Sequence, residues 1–179
     1  MPAWNPFRRR PTEGPADALY AAIVGRARDP LFYAGAGVPD TLDGRFELIA
    51  LHCYLILRRL RGEDSEARQA AQALVDTLFS DMDANLREMG AGDLGVGRRV
   101  KRMAGGFYGR AAAYDEGQAK GDARDALRRN LFGTVQPRPA EVDAMARYLA
   151  SAGAALAAQP LTEILAGRPS FGGLPELAP

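Results

Sequence analysis

Apolar residues recur every three or four positions along almost the whole chain, and the strict alternation of a half-buried strand is nearly absent. The pattern predicts a first helix over Pro15 to Arg28, with Leu19 and Ile23 inward and Pro15 in its first turn. Residues 29–41 break it with two glycines and two prolines, so they are expected to form a loop. That loop is unusually apolar (Leu31, Phe32, Tyr33, Val38) and should pack on the body or line a groove. A second helix follows from Leu42 to Arg61, with Thr41 or Asp40 as its cap. It carries two stripes, Phe46, Ile49, Cys53, Ile56, Leu60 and Leu48, Leu51, Leu55, which marks it as the central helix.

Glu63, Asp64 and Ser65 open a third helix that runs to about Met89, with acids at the positive end of its dipole and Gly90 as its stop. A fourth, about Leu94 to Gln118, has Val96, Val100, Met103, Phe107, Ala111 and Tyr114 on one side and Arg99, Arg102 and Arg110 along another. A short helix over Asp122 to Arg129, a turn at Asn130 to Gly133 and a long alanine-rich helix over Pro139 to Ala158 complete the pattern. The expected architecture is all-α, an irregular or orthogonal bundle of about five to seven helices. Residues 15–166 would be one domain, between a flexible tail at 1–14 and a loosely ordered, proline- and glycine-rich tail at 167–179.

Composition narrows the partners. With 23 basic and 22 acidic residues among 179, the chain has a formal charge of +1 and no global field for nucleic acid or membrane. Its single cysteine excludes an internal disulfide and a CxxC metal knuckle, and its place among Leu51, Tyr54 and Leu55 points to a buried, inert thiol. A reducing, cytoplasmic setting is expected: no stretch reaches the ~20 apolar residues of a spanning helix, and the start lacks the apolar core of a secretion signal.

Several motifs carry chemistry on paper. Gly90 to Gly95 spells GxGxxG, but a charged helix precedes it where a dinucleotide site needs a strand. Asp81, Asp83 and Asn85 imitate the start of a calcium loop, yet Leu86 and Gly92 stand where glycine and glutamate belong. Asp81, Asn85 and Glu88 share one helix face, in line with Leu74 and Leu78. They are either half of a salt-bridge network with the next helix or the polar rim of a groove. The basic group Arg98, Arg99, Lys101 and Arg102 is either a solvated or acid-paired face or a small phosphate-binding stripe. His52 is the only histidine, and no serine or cysteine motif makes it a triad member. A satisfied histidine in the core is expected.

The residues themselves match a family. Residues 19–60 contain VPDT-x-DGRFE and residues 74–117 contain DMD-x-NLREMG-x-GDL, both longer than helical periodicity dictates. With a weaker match in the last long helix, the chain over 15–158 resembles the ubiquinol–cytochrome c chaperone family, the assembly factors of the cytochrome bc1 complex. It is similar to alphaproteobacterial members in its alanine- and arginine-rich composition and its lack of a presequence, and it shows no counterpart of the long N-terminal extension of mitochondrial members. The resemblance implies an all-helical assembly chaperone without enzymatic activity or cofactor. Its client would be newly made cytochrome b, held until haem insertion and handover. The ribosome or the inner-membrane surface would be further contacts, DNA would not, and the protein would be a monomer. The expected contact residues are Leu31, Phe32 and Tyr33 in the apolar loop. To these the first motif adds Pro39, Asp40, Thr41, Asp43, Arg45 and Phe46. The second motif and its extension add Asp81, Asp83, Asn85, Arg87, Glu88, Asp93, Arg98, Arg99, Lys101 and Arg102.

Two other readings stay open. A helical carrier would hold an isoprenoid or haem, with His52 or the 81/85/88 cluster inside its pocket. An enzyme would bind magnesium at Asp81 and Asp83.

Overall fold

The structure, a computed structural model, describes residues 14–88 and 93–173; the side chains of residues 86–104 lie outside that description. All regular structure among the described residues is helical: α1 (Pro15–Ala27), a π-helical turn (Leu31–Gly35), α2 (Leu42–Leu60), α3 (Ser65–Glu88), α4 (Asp93–Ala119), α5 (Arg124–Asn130), α6 (Pro139–Ala158) and α7 (Leu161–Leu165). The all-α expectation holds, with eight helical elements rather than five to seven.

The central position of α2 follows from its double stripe. Every residue from Phe46 to Ile56 is buried, and α1, α3, α4 and α6 all pack against the helix. Each leucine or isoleucine so enclosed stabilises the fold by roughly 1.5–3 kcal/mol. Thr41 adopts the extended backbone of a cap, and its Oγ1 accepts a hydrogen bond from Gly44 N at 3.2 Å. Asp64 Oδ1 caps α3 in the same way by accepting from Ala67 N at 2.9 Å. At α6, Pro139 fills the first turn and Glu141 accepts from Arg138 N at 2.7 Å.

One segment expected to be a loop, residues 29–41, is partly helical, and a short helix outside the expected pattern, Leu161–Leu165, closes the bundle. Asp29-Pro30 starts a helix rather than ending one: Asp29 Oδ1 accepts from Leu31 N at 3.0 Å, and Pro30 needs no amide partner in a first turn. The turn then widens into a π step in which Ala36 N donates to Leu31 O at 2.9 Å. Leu161–Leu165 forms the short α7, which packs on α1. Residues 90–92 of the Gly90–Gly95 motif lie outside the described residues; the element before the motif is the helix α3, whereas a dinucleotide fingerprint follows a strand.

Candidate functional site

The segment from Val38 to Glu47 folds into a corner at the start of α2, and most of its polar positions and its glycine have a physical task. Asp40 and Arg45 form an ion pair at 2.6 Å across the cap. The Arg45 guanidinium beside it holds the Asp40 carboxyl below the usual range. Gly44 is required because the chain folds back on itself: a Cβ there would lie 2.0 Å from Pro39 O. Phe46 is buried, with the Arg110 guanidinium 5.7 Å from its ring centroid. Glu47, the residue after it, receives that guanidinium in a fork: Arg110 Nε donates to Oε2 at 2.7 Å, and Nη2 lies 2.5 Å from Oε1.

The Glu47 carboxylate is buried, which raises its pKa; its hydrogen bonds to Arg110 act in the opposite direction. Arg110 can fold back along α4 to reach it because Gly106 has no side chain; a Cβ there would meet Arg110 Nη1 at 2.6 Å. Helical periodicity puts Arg110 on a basic stripe, but nothing local marks Glu47, whose partner lies 63 residues away.

This ion pair floors a groove of about 390 Å³, lined by Asp43, Gly44, Phe46 and Glu47 of α2, Arg110 of α4, Arg129 and Asn130 of α5, and Leu131, Gly133 and Thr134 beyond it. Asp43 and Arg129 are exposed and offer opposite charges to whatever enters. Leu42 and Val135, next in the chain to lining residues, are 40% and 43% exposed. Tyr114 is buried beneath, and its hydroxyl neighbours Asn130 without a well-formed hydrogen bond to it. A second groove of the same volume, between α2, α4 and α6, is lined by Leu55, Arg58, Arg59, Gln118 and small residues of α6.

The expected contact residues separate into distinct places. Leu31 is 48% exposed. Tyr33 is half-buried and donates its hydroxyl to Ala27 O at 2.7 Å, and its ring lies close enough to Arg45 and Asp40 to feel their charges. Phe32 is fully buried and shapes the surface only from beneath. Pro39, Asp40, Thr41 and Arg45 belong to the corner, while Asp43 and Phe46 reach the groove. Asp81 and Asn85 are buried elsewhere: Asp81 Oδ2 accepts from Tyr20 of α1 and from Asn85 Nδ2, each at 3.0 Å. Asp83 is half-buried on the same helix. The side chains of Arg87, Glu88, Asp93, Arg98, Arg99, Lys101 and Arg102 lie outside the described residues.

His52 is fully enclosed, with its Nδ1 2.7 Å from Leu48 O and its Nε2 2.6 Å from Tyr148 Oη. A carbonyl only accepts, so Nδ1 carries the proton and Nε2 accepts from the tyrosine. Tyr148 in turn accepts from Arg26 Nε at 3.0 Å. Burial depresses the His52 pKa to about 4 and raises that of Cys53. Both imidazole nitrogens are therefore committed, and Phe32, Tyr148 and Phe171 wall the ring at centroid distances of 5.5, 5.7 and 4.9 Å. No group of three or more His, Cys, Asp or Glu side chains suited to a metal ion occurs among the described residues, and no helix among them is long and apolar enough to cross a membrane.

An all-α scaffold with a motif-built groove and an ion-paired floor is the class that these features define. The chain belongs to the ubiquinol-cytochrome C chaperone family, whose profile matches residues 35–171 and so takes in both the corner and the groove. It is 25% identical over 133 residues to ubiquinol-cytochrome-c reductase complex assembly factor 1 of Xenopus laevis, and 23% identical to the Mus musculus protein of that name. These alignments cover 73% of this chain but 66% and 45% of the two relatives. The crystal structure of the Cbp3 homolog from Brucella abortus is similar throughout, with a TM-score of 0.81, 34% identity and 92% of each chain covered.

Proposed function

We propose that this protein is an assembly chaperone of the ubiquinol–cytochrome c reductase complex, that its client is newly made cytochrome b, and that it acts by binding, without catalysis. The observation that carries this reading is the coincidence of motif and groove. Four residues of the VPDT-x-DGRFE motif, Asp43, Gly44, Phe46 and Glu47, form one wall of a groove with apolar rims and a polar floor. Such a surface suits an incompletely folded segment, which offers both apolar side chains and unpaired backbone groups. The contact face would extend from the groove over the Asp40–Arg45 pair to Tyr33 and Leu31. The carrier reading is weaker, because a haem iron would need the Nε2 lone pair that Tyr148 already occupies.

Deletion of the gene, followed by difference spectra of b- and c-type haems in membranes, tests the proposal. Selective loss of the bc1 cytochromes is expected, and a normal spectrum would overturn it.

A further inference from the structure

The last described residues of the chain lie on the body like a bound peptide. After α7 the backbone turns at Gly167, where φ is +77° and a Cβ would lie 2.4 Å from Ala18 Cβ. From there to Gly173 the segment has no regular structure of its own and is held through its backbone by two side chains. Gln159 uses both ends of its amide: Nε2 donates to Arg168 O at 2.7 Å and Oε1 accepts from Ser170 N at 2.8 Å. Arg26 Nη2 donates to Gly172 O at 2.8 Å and Gly173 O at 2.9 Å. Between these clamps Phe171 is 5% exposed, edge-on to His52 in the niche that Phe32 and Tyr148 complete. Gly172, with φ +68°, lets the chain turn straight after the aromatic ring.

Backbone groups read by side chains, with one anchored aromatic residue, are how a protein recognises an unstructured segment. We propose that the channel from Gln159 to Arg26 is a peptide-recognition site that residues 168–173 occupy in cis, and that an aromatic–glycine segment of a partner protein exchanges with them. The inference rests on the client-binding reading above and gives that client a chemistry: an aromatic side chain for the niche, a following glycine, and free carbonyls for Arg26. The Arg26–Tyr148–His52 chain of hydrogen bonds keeps the niche formed, because Arg26 Nε, Tyr148 Oη and His52 Nδ1 all find their acceptors off the strap, which takes only the Arg26 Nη2 donor. A tethered segment competes at high effective concentration, so the intact strap should exclude any free peptide.

The test uses full-length protein and a fluorescein-labelled, acetylated peptide reproducing residues 168–173, followed by fluorescence anisotropy. The Phe171→Ala protein should bind the peptide at least tenfold more tightly than wild type. Adding Gln159→Ala to that variant should weaken binding at least fivefold, and a peptide with alanine in place of its phenylalanine should not bind. Equal binding to wild type and Phe171→Ala, or none to a Phe171→Ala protein with an unchanged circular dichroism spectrum, would overturn the proposal. Should that variant not fold, hydrogen exchange in wild type decides. The Ser170 and Phe171 amides should exchange at least a hundredfold faster than the core amides of α6, and exchange only with global unfolding would show the strap to be fixed core. A failed peptide assay alongside selective loss of bc1 haems would leave the chaperone reading standing. A bound peptide with normal haem spectra would do the reverse.

Discussion

The Arg110 guanidinium lies against the Glu47 carboxylate with Nε–Oε2 at 2.7 Å and Nη2–Oε1 at 2.5 Å, and so fastens α4 to α2 at the floor of the groove. The Glu47 side chain is 8% exposed and that of Arg110 27%, so one side of the pair cannot fall back on water. Replacing Arg110 with alanine should cost about 2 to 4 kcal/mol, the penalty of stranding a buried charge reduced for the arginine's partial exposure. Joint replacement, Glu47→Leu with Arg110→Met, should recover most of that stability while still failing to support bc1 assembly. Urea denaturation and membrane haem spectra on the same variants separate the two effects. A double variant that restores both would mean the pair matters only as a brace.

Gly44→Ala tests the corner on its own. Its Cβ would sit against Pro39 O, a backbone atom that cannot rotate away, so the cap at Thr41 must shift. A loss of about 2 kcal/mol or more is expected, read as a lower thermal midpoint, with bc1 content falling in parallel. An unchanged midpoint would show that the corner is softer than its close contacts indicate.

Neighbouring positions in the π turn should behave oppositely. Phe32 is fully buried against His52 and Tyr148, so Phe32→Ser should cost about 3 to 5 kcal/mol through the cavity and the buried hydroxyl. Leu31 is half exposed, so Leu31→Ser should change stability by about 1 kcal/mol or less while lowering client capture. Equal losses of stability at the two positions would contradict this division of labour.

How far these features could be read from the sequence differs with the range of the interaction that makes them. The two stripes of α2 are set by local periodicity, and so are the Thr41 cap and the Pro139 start of α6; all of them match the structure. The π turn is not legible in the sequence because Asp29-Pro30 signals a helix start as well as a break, and the nearby glycines favour a loop. The roles of Glu47 and Phe171 are hidden for another reason. Their partners, Arg110 and His52, lie far off in the chain, and no local pattern marks a glutamate on a central helix as paired or a phenylalanine in a glycine-rich tail as buried. His52 was legible as a satisfied core histidine, though its link to Arg26 through Tyr148 was not.

That histidine makes stability depend on pH in a definite direction. Its pKa is about 4 in the folded chain against 6.5 as a free side chain, so between these values the unfolded state binds the proton more readily. Its contribution is fully present above pH 6.5 and is lost as pH falls toward 4, by about 3 kcal/mol in all. Wild type should therefore lose more stability between pH 7 and 4 than His52→Gln, compared by denaturation at each pH. Parallel curves would show that the imidazole titrates as if it were exposed.

The central claim, that the motif-built groove holds immature cytochrome b, is open to direct test by site-specific photocrosslinking. A photoreactive residue in place of Leu42 or Thr134, at the groove, and another in place of the exposed Glu66, outside it, would be activated in cells pulse-labelled during synthesis of the complex. The account predicts a labelled adduct with cytochrome b from positions 42 and 134, fading as haem is inserted, and none from position 66. Adducts of equal strength from all three positions, or none with cytochrome b from the groove while the variants still support assembly, would contradict it.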